Sequence, residues 1–293
     1  MVRFRLTQKA AAPAIGDRCV RHALRFARCQ ACVSACPVEA LSVVNGKVTL
    51  AEDRCLSCGD CLFVCPAEAI SGITPPLRHY RGDALVVPLS FRAASTEELL
   101  IWHRLYHLRA VACNIDAQPG WALAVARLNL TLRRYQEPEW RIIPPADAGI
   151  DSSRRSLLRA QVIETRSARV PAGRRVLRQL YPQVSGWLPD IDRQRCQLCG
   201  ACWRICPEQA LRAEGGRFII ESARCTGCGN CQAVCHHQAV ILNAGPREDP
   251  VRQLPLASAR CASCQQPFLT WQQGSTHCPT CQRHQHGMRA LCC

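Results

Sequence analysis

The sequence predicts an α+β fold in which two duplicated cysteine-rich modules flank a small α/β domain, with a four-cysteine unit at the C-terminal end. Three observations lead to this prediction. The chain has 23 cysteines among 293 residues, two cysteine blocks share one spacing, and the segment between them alternates strand-like and helix-like periodicity. The predicted domains are a first module (1–80), the α/β domain (81–150), an arginine-rich linker (151–189), a second module (190–250) and a tail (251–293).

The cysteine content restricts the chemistry of the chain. Cysteine makes up about 8% of the residues, a density found in disulfide scaffolds and in metal-binding proteins. Residues 1–16 contain basic side chains but lack the apolar core of a secretory signal, and no apolar run is long enough to span a bilayer. We therefore expect a cytoplasmic protein without a membrane span, whose reduced thiols bind metal.

Two cysteine blocks, residues 29–70 and 196–240, repeat the same pattern. In each block, 18 residues separate the last cysteine of one motif from the first cysteine of the next. Within this interval, Asn45-Gly46 in the first block and Gly215-Gly216 in the second are pairs typical of two-residue hairpin turns. The sequence therefore predicts a hairpin in each block, with strands at Leu41–Val44 and Lys47–Leu50, and at Leu211–Glu214 and Arg217–Ile220.

Three cysteine motifs have the spacing C-x2-C-x2-C-x3-C. They are Cys55, Cys58, Cys61 and Cys65; Cys196, Cys199, Cys202 and Cys206; and Cys225, Cys228, Cys231 and Cys235. Two intervening residues let the chain loop round one cluster, and the fourth cysteine, usually followed by a proline that opens a short helix, reaches a second cluster. The pattern resembles that of the two-cluster bacterial ferredoxins, and the resemblance covers both blocks, as in a duplicated four-cluster polyferredoxin.

The remaining motif departs from this pattern, because Phe26 stands where its leading cysteine would be. Cys19 lies upstream, and we expect it to serve as the missing ligand; a three-iron cluster that leaves Cys19 unused is the alternative. For all sixteen cysteines, zinc sites or buried thiols are the alternative to iron–sulfur clusters. The ferredoxin resemblance implies four [4Fe–4S] clusters with crossed ligands: Cys19, Cys29, Cys32 and Cys65; Cys55, Cys58, Cys61 and Cys36; Cys196, Cys199, Cys202 and Cys235; and Cys225, Cys228, Cys231 and Cys206.

Two C-x2-C pairs near the C-terminal end predict a separate tetrahedral metal site. The pairs are 13 residues apart, a separation that suits a zinc ribbon. Rubredoxin-type iron has the same ligand geometry and is the alternative to zinc. We expect Phe268 and Trp271 to form the small core of this ribbon. The predicted ligands are Cys261, Cys264, Cys278 and Cys281.

The segment between the modules predicts a small α/β domain with a parallel sheet, because strands and helices alternate in the order βαβαβ. Ser95 and Glu98 form a capping box at the start of the first helix. The first strand is not followed by a glycine-rich phosphate loop, so dinucleotide binding is not indicated. The predicted elements are strands at Ala84–Leu89, Ala110–Ile115 and Arg141–Pro144, and helices at Ser95–Leu108 and Trp121–Tyr135.

Two histidines on the first predicted helix are a further candidate metal site. His103 and His107 lie four residues apart, a spacing that can bind a metal ion. Their neighbourhood in the sequence offers no further ligand, so we interpret them as part of an exposed polar face. Cys113 is the one cysteine of this domain, and we therefore expect no cluster in it.

The formal net charge of +15 would by itself suggest a nucleic-acid or membrane-surface binder. Four clusters and one zinc site, each with a charge of roughly −2, would reduce it to roughly +5. Eight arginines from Arg154 to Arg178 would suit a linker that docks on an acidic partner or simply faces solvent. Since these arginines are not accompanied by a recognition motif, we do not expect nucleic-acid binding.

These features predict an iron–sulfur electron carrier and not an enzyme, because the sequence shows no evident set of acid–base residues or activated nucleophile. The ferredoxin resemblance implies single-electron transfer to or from a larger cytoplasmic redox enzyme, such as a molybdenum enzyme, a formate dehydrogenase or a hydrogenase. An assembly factor that supplies clusters or electrons to an apo-metalloenzyme is one alternative. A nucleic-acid-associated iron–sulfur protein is another, and it would bind nucleic acid in a salt-dependent way.

Overall fold

The chain forms two compact units in the computed structural model. The first unit comprises residues 1–25 and 30–181, and the second comprises residues 26–29 and 182–293. None of the helices in the described parts of the chain has the length and apolar character needed to cross a membrane. The structure describes residues 12–145, 164–184, 186–243 and 251–284.

The first unit contains the N-terminal module and the α/β domain. Its strands are β1 (Ala14–Ile15), β2 (Leu41–Val44), β3 (Lys47–Leu50), β4 (Ile70–Ser71), β5 (Arg78–Arg81), β6 (Ala84–Val86), β7 (Ala110–Ala112), β8 (Arg141–Ile143) and β9 (Arg166–Ala168). Its helices are α1 (Val20–Ala23), α2 (Ala31–Ala35), α3 (Asp60–Val64), α4 (Thr96–Leu105), α5 (Pro119–Arg134) and α6 (Arg174–Leu180), with a 3₁₀ turn at Glu52–Arg54.

The predicted hairpin of the first module is confirmed. Strands β2 and β3 pair antiparallel, with Leu41 opposite Leu50. Asn45 and Gly46 have φ angles of 49° and 78°, so both turn residues are left-handed, as a type I′ turn requires. Strand β1 pairs antiparallel with β4, which brings the two ends of the module together.

The α/β domain is built on a five-stranded sheet with the strand order β8-β7-β6-β5-β9. Strands β6, β7 and β8 are parallel to one another, and helices α4 and α5 connect them. Strands β5 and β9 extend the sheet in the antiparallel sense. Because every residue of β6 and β7 is buried, both faces of the sheet are covered at its centre.

The helix predicted through Leu108 is shorter than expected. Helix α4 ends at Leu105, and His107 has a left-handed φ of 54°, which is incompatible with a continuing helix. The strands predicted to reach Leu89 and Ile115 also stop earlier, at Val86 and Ala112.

The predicted arginine-rich linker contains regular structure. Residues 166–168 form β9 at the edge of the sheet, and residues 174–180 form α6. Tyr181, which follows α6, is buried and donates its hydroxyl to the backbone oxygen of Leu100 at 2.8 Å. This part of the linker therefore packs on the α/β domain, whereas residues 151–163 lie outside the described residues.

A buried ion pair connects β5 to the start of α4. Ser95 accepts the backbone N–H of Glu98 at 3.2 Å, as in a capping box, but the Glu98 carboxylate turns towards Arg78. Arg78 Nη2 donates to Glu98 Oε2 at 2.8 Å, and the Trp102 indole donates to the same carboxylate at 3.3 Å. Both charged side chains are almost fully buried, so the pair fixes the added strand to the helix.

His103 does not belong to an exposed polar face, contrary to our expectation, because it is fully buried. The Trp140 indole N–H donates to His103 Nδ1 at 3.0 Å, so the ring proton lies on Nε2, which faces Glu137 Oε2 at 3.3 Å. Burial lowers the pKa of His103 to about 4, and the ring is therefore neutral near pH 7. Both ring nitrogens are engaged in these bonds, which leaves neither for a metal ion. His107 is exposed, as expected.

The second unit repeats the module and adds the tail. Its strands are β10 (Leu188–Ile191), β11 (Leu211–Glu214), β12 (Arg217–Glu221), β13 (Val240–Asn243), β14 (Val251–Pro255), β15 (Ala257–Arg260) and β16 (Pro267–Thr270). Its helices are α7 (Ala201–Arg204), α8 (Asn230–Ala233) and α9 (Pro279–His284), with a 3₁₀ turn at Ser222–Arg224.

The predicted hairpin of the second module is also confirmed. Strands β11 and β12 pair antiparallel, and Gly215 and Gly216 have φ angles of 56° and 68°. Strands β10 and β13 pair as β1 and β4 do in the first module. Strand β14 adds to the free edge of β12, and Leu256 alone separates it from the β15–β16 hairpin of the tail.

We expect Glu98→Gln to destabilise the α/β domain by about 3 kcal/mol, because Arg78 would keep a buried charge without its partner. Hydrogen exchange of the β6 and β7 amides measures this local free energy of opening. Glu97→Gln, one residue earlier in the same helical turn, is the control and should change the free energy by less than about 1 kcal/mol. Equal effects of the two substitutions would contradict the role given to the ion pair.

Candidate metal centres

The fourth cysteine of each motif is followed by the same tight turn. In all four motifs the residue three positions later has a left-handed φ between 49° and 51°. The backbone N–H one position further on then donates to the cysteine sulfur. These bonds join Ala40 N to Cys36 Sγ (3.2 Å), Ala69 N to Cys65 Sγ (3.4 Å), Ala210 N to Cys206 Sγ (3.3 Å) and Ala239 N to Cys235 Sγ (3.2 Å).

This turn corrects one sequence expectation. The proline after the fourth cysteine was expected to open a short helix, but Pro37, Pro66 and Pro207 lie in the turn instead. The turn closes within five residues because the alanine N–H donates to the cysteine sulfur and not to a carbonyl oxygen, as it would in a helix.

The alanines of these turns are functional residues that our sequence reasoning missed. Each donates to a sulfur, and each is no more than 6% exposed, so a larger side chain has little room. The signal was present in the sequence, since all four motifs have alanine at the fourth position after the last cysteine. This alanine marks the position at which the backbone must approach the sulfur closely.

The loop round the first three cysteines is also repeated in the three complete motifs. A left-handed glycine precedes each of the short helices α3, α7 and α8, and each helix carries the third cysteine of its motif. These glycines are Gly59, Gly200 and Gly229, with φ angles from 75° to 86°. The incomplete motif differs, because Gln30 precedes α2 with a φ of −131°.

Three cavities are each lined by one of the predicted crossed cysteine sets. In every case three cysteines come from one motif and the fourth comes from the other motif of the same module. The three sets are Cys55, Cys58, Cys61 and Cys36; Cys196, Cys199, Cys202 and Cys235; and Cys225, Cys228, Cys231 and Cys206.

The electrostatics of these sets call for bound cations. Burial raises the pKa of Cys61, Cys202 and Cys231, and the charges of neighbouring cysteines contribute to the same rise; together they bring the pKa of Cys61 and of Cys202 to about 12. In each case these neighbours include the fourth cysteine of the crossed set: Cys36 beside Cys61, Cys235 beside Cys202 and Cys206 beside Cys231. Because ligands must be thiolates, the irons of a cluster would offset this cost. The four-sulfur donor sets and their N–H donors therefore fit an iron–sulfur cluster.

Cys19, the expected substitute ligand, is tied to the turn of Cys65 by backbone hydrogen bonds. Cys19 is buried immediately before α1. Its N–H donates to Gly16 O at 3.0 Å, and the Gly16 N–H donates to Ala69 O at 2.7 Å. Ala69 in turn donates to the Cys65 sulfur, so a continuous chain of bonds relates the two cysteines.

Cys32 and Cys29, the other two cysteines of the first predicted set, lie in different surroundings from each other. Cys32 is buried on α2, and its charge acts on Cys61 of the adjoining set. Cys29 falls in the segment 26–29, which groups with the second unit. Phe26, in place of the leading cysteine, is 70% exposed.

The four C-terminal cysteines form a compact donor set for a single ion. One sulfur from each of Cys261, Cys264, Cys278 and Cys281 lies within 4.8 Å of all the others. The sulfurs of Cys264 and Cys278 are 3.9 Å apart. Bonds of about 2.3 Å to a tetrahedral zinc place two sulfurs about 3.8 Å apart, so the arrangement fits one tetrahedral ion.

Backbone groups prepare this set for metal binding. Hydrogen bonds from the backbone of Cys264 and Cys278 lower the pKa of Cys261 to about 6. The Cys278 N–H lies 3.3 Å from Cys261 Sγ, and the Cys281 N–H lies 3.4 Å from Cys278 Sγ. These bonds favour the thiolate of Cys261, the form that binds metal, whereas side-chain hydrogen bonding with Cys278 raises the pKa of Cys281.

The two aromatic residues of the tail do not share one core. Phe268 packs against the four cysteines, as expected. Trp271 was expected there too, but it packs against the core of the second module and donates its indole N–H to Cys196 O at 3.0 Å. A carbonyl oxygen satisfies the indole N–H, which an interior of cysteine and phenylalanine side chains would not do as well.

Comparison with protein-family models finds a 4Fe–4S dicluster domain at residues 17–69 and another at residues 188–239. Each match covers one cysteine-rich module, and the first includes Cys19. A search of the curated proteins found no match to this chain. The two domains support a relationship to the ferredoxin-like iron–sulfur proteins, and they indicate an iron–sulfur electron-transfer protein.

The loop between Cys225 and Cys228 leaves no room for a side chain at Gly227. A methyl group there would overlap the Trp187 indole at Nε1, and the φ of Gly227 is 68°. We expect Gly227→Ala to displace the indole and to reduce bound iron by up to about four atoms, the content of one cluster. Iron analysis and tryptophan fluorescence measure the two effects.

Gly215→Ala, in the hairpin turn of the same module, is the matched control. Its φ of 56° also imposes backbone strain, but its added methyl group would meet no atom of the described residues within 4 Å. We expect it to retain its iron. Full iron content in both variants would contradict the importance of this close packing.

Proposed function

We propose that the chain is a cytoplasmic electron carrier that binds four [4Fe–4S] clusters and one zinc ion. A bound [4Fe–4S] cluster supplies one-electron transfer. The observation that carries the proposal is the set of three cavities, each lined by three cysteines of one motif and one of its partner motif. A structural zinc site closes four sulfurs round one ion and requires no such cavity.

The proposed ligand sets are crossed within each module. We extend the scheme to the first set because hydrogen bonds tie Cys19 to the turn of Cys65. A three-iron cluster without Cys19 is the competing outcome for that set. The proposed sets are Cys19, Cys29, Cys32 and Cys65; Cys55, Cys58, Cys61 and Cys36; Cys196, Cys199, Cys202 and Cys235; and Cys225, Cys228, Cys231 and Cys206.

The residues of the chain would control the potential in two opposing ways. Backbone N–H groups donate to the fourth cysteine of every motif, and Gly227 N donates to Cys225 Sγ at 3.4 Å. Such bonds stabilise the more negative reduced state and raise the reduction potential. Burial excludes water and disfavours added negative charge, so it lowers the potential.

The tail is proposed to bind zinc through Cys261, Cys264, Cys278 and Cys281. A closed set of four cysteines is typical of a structural zinc site, which contributes folding free energy to a small unit. Rubredoxin-type iron would use the same ligands, and metal analysis of the purified protein separates the two.

The proposed partner is a larger redox enzyme, such as a molybdenum enzyme, a formate dehydrogenase or a hydrogenase, or another electron donor or acceptor protein. Reversible reduction at constant iron content would support this role. Loss of iron and sulfide from the chain to an apo-protein would support an assembly factor instead.

Crossed ligation is tested by Cys235→Ala. We expect a loss of about four irons, because one cluster loses one of its four ligands. Alkylation of the native protein, followed by mass spectrometry, identifies the released thiols. The cysteines that we expect to become reactive are Cys196, Cys199 and Cys202.

The neighbouring motif provides the outcome that would contradict this scheme. If ligation were not crossed, Cys235→Ala would instead release Cys225, Cys228 and Cys231. Cys113→Ala is the control, because Cys113 is a buried cysteine outside the proposed sets and its loss should leave the iron content unchanged.

A further inference from the structure

Trp271 connects the C-terminal four-cysteine unit to the second module. It directly follows β16, the strand that carries Phe268. Its ring lies 5.7 Å from that of Phe218, centroid to centroid, at an angle of 50°. Together with Leu254 and Leu256, it packs against the buried core of the module.

The indole N–H of Trp271 points at the backbone of a proposed ligand residue. Nε1 lies 3.0 Å from the backbone oxygen of Cys196. The positive end of the N–H dipole therefore lies beside Cys196 in a partly buried position, where electrostatic interactions are stronger than in water.

Backbone pairing attaches the tail to the module at β14. Strand β14 pairs with β12, and the Leu256 N–H donates to Gly216 O at 2.8 Å. In the β15–β16 hairpin that follows, the apolar side chain of Phe268 packs against the four cysteines. Structural metal sites supply folding free energy to small units of this kind. A bound ion would therefore hold β16, and with it Trp271, in place.

We propose that Trp271 tunes the cluster bound by Cys196, Cys199, Cys202 and Cys235, and that the metal of the tail holds its indole N–H in position. The inference rests on the proposed function, since it requires that this cluster be present. The N–H dipole stabilises the extra negative charge of the reduced cluster, so Trp271 raises the reduction potential. The potential of one cluster thereby depends on metal bound at a second site.

The first test is Trp271→Phe in the full chain. Phenylalanine keeps an aromatic ring on Phe218 but removes the N–H donor. In a reductive titration followed by electron paramagnetic resonance, we expect one of the four one-electron steps to shift to lower potential. Cys196→Ser identifies that step, because it replaces a thiolate ligand of the same cluster.

Thr270→Val is the matched control for this substitution. Thr270 precedes Trp271, and its hydroxyl bonds with Ser275 Oγ at 2.9 Å within the tail hairpin. The substitution removes a polar contact from the same segment but keeps the donor to Cys196. It should leave all four potentials unchanged. An unshifted potential in Trp271→Phe, with iron fully retained, would overturn the proposal.

The second test examines the role of the tail metal. The substitutions Cys264→Ser and Cys281→Ser, made together, should abolish zinc binding at the tail. In that background we expect Trp271→Phe to cause no further shift, because the indole is no longer held beside Cys196. An equal shift with and without zinc would show that the metal does not position Trp271.

Two measurements separate failure of this inference from failure of the proposed function. Iron and sulfide analysis of the wild-type chain shows whether the clusters are present at all. If Trp271→Phe does not retain iron, the wild-type chain labelled with ¹⁵N-indole tryptophan provides the test. The Trp271 N–H signal should move both when the Cys196 cluster is reduced and when a chelator removes the zinc, and a signal that moves in neither case would contradict the proposal.

Discussion

Thiolates that converge on one site repel one another, and their negative charge has to be compensated. Burial and neighbouring cysteines raise the pKa of Cys61, Cys202 and Cys231, so these sulfurs ionise only where positive groups face them. The irons of the proposed clusters would supply most of that positive charge, and backbone N–H groups would supply the remainder. The turn after every fourth cysteine directs such an N–H at the sulfur. It contains a residue with a left-handed φ, followed by a buried alanine.

The proposed crossed sets would make each module one cooperative unit. In three of the sets the fourth cysteine of one motif lies with the first three cysteines of the partner motif, so neither motif lines those cavities alone. The hairpin between the two motifs of a module supports this arrangement. Its antiparallel strands return the chain, so that the second motif begins close to the end of the first. The strands at the two ends of each module pair with each other and close it. The tail uses the same ligand type differently, with four sulfurs close enough for one ion.

Features set by neighbouring residues could be predicted from the sequence. The cysteine spacings marked the donor sets, Asn45-Gly46 marked a turn, and the alternation of periodicities marked the strands and helices of the α/β domain. Features that depend on distant partners could not. Strand β9 forms only because β5 offers an edge far away in the sequence, and His103 is buried because Trp140 and Glu137 satisfy its ring. Trp271 was assigned to the wrong core, since its carbonyl partner on Cys196 lies in another motif.

We propose that the two modules gather their cysteines into four cluster sites and that the tail forms one zinc site. The iron, acid-labile sulfide and zinc content of the full chain, purified without oxygen, tests this proposal. We expect about 16 irons and about 16 sulfides per chain with about one zinc. A chain that binds mainly zinc and contains little sulfide would contradict it, because the cysteine sets would then be structural metal sites.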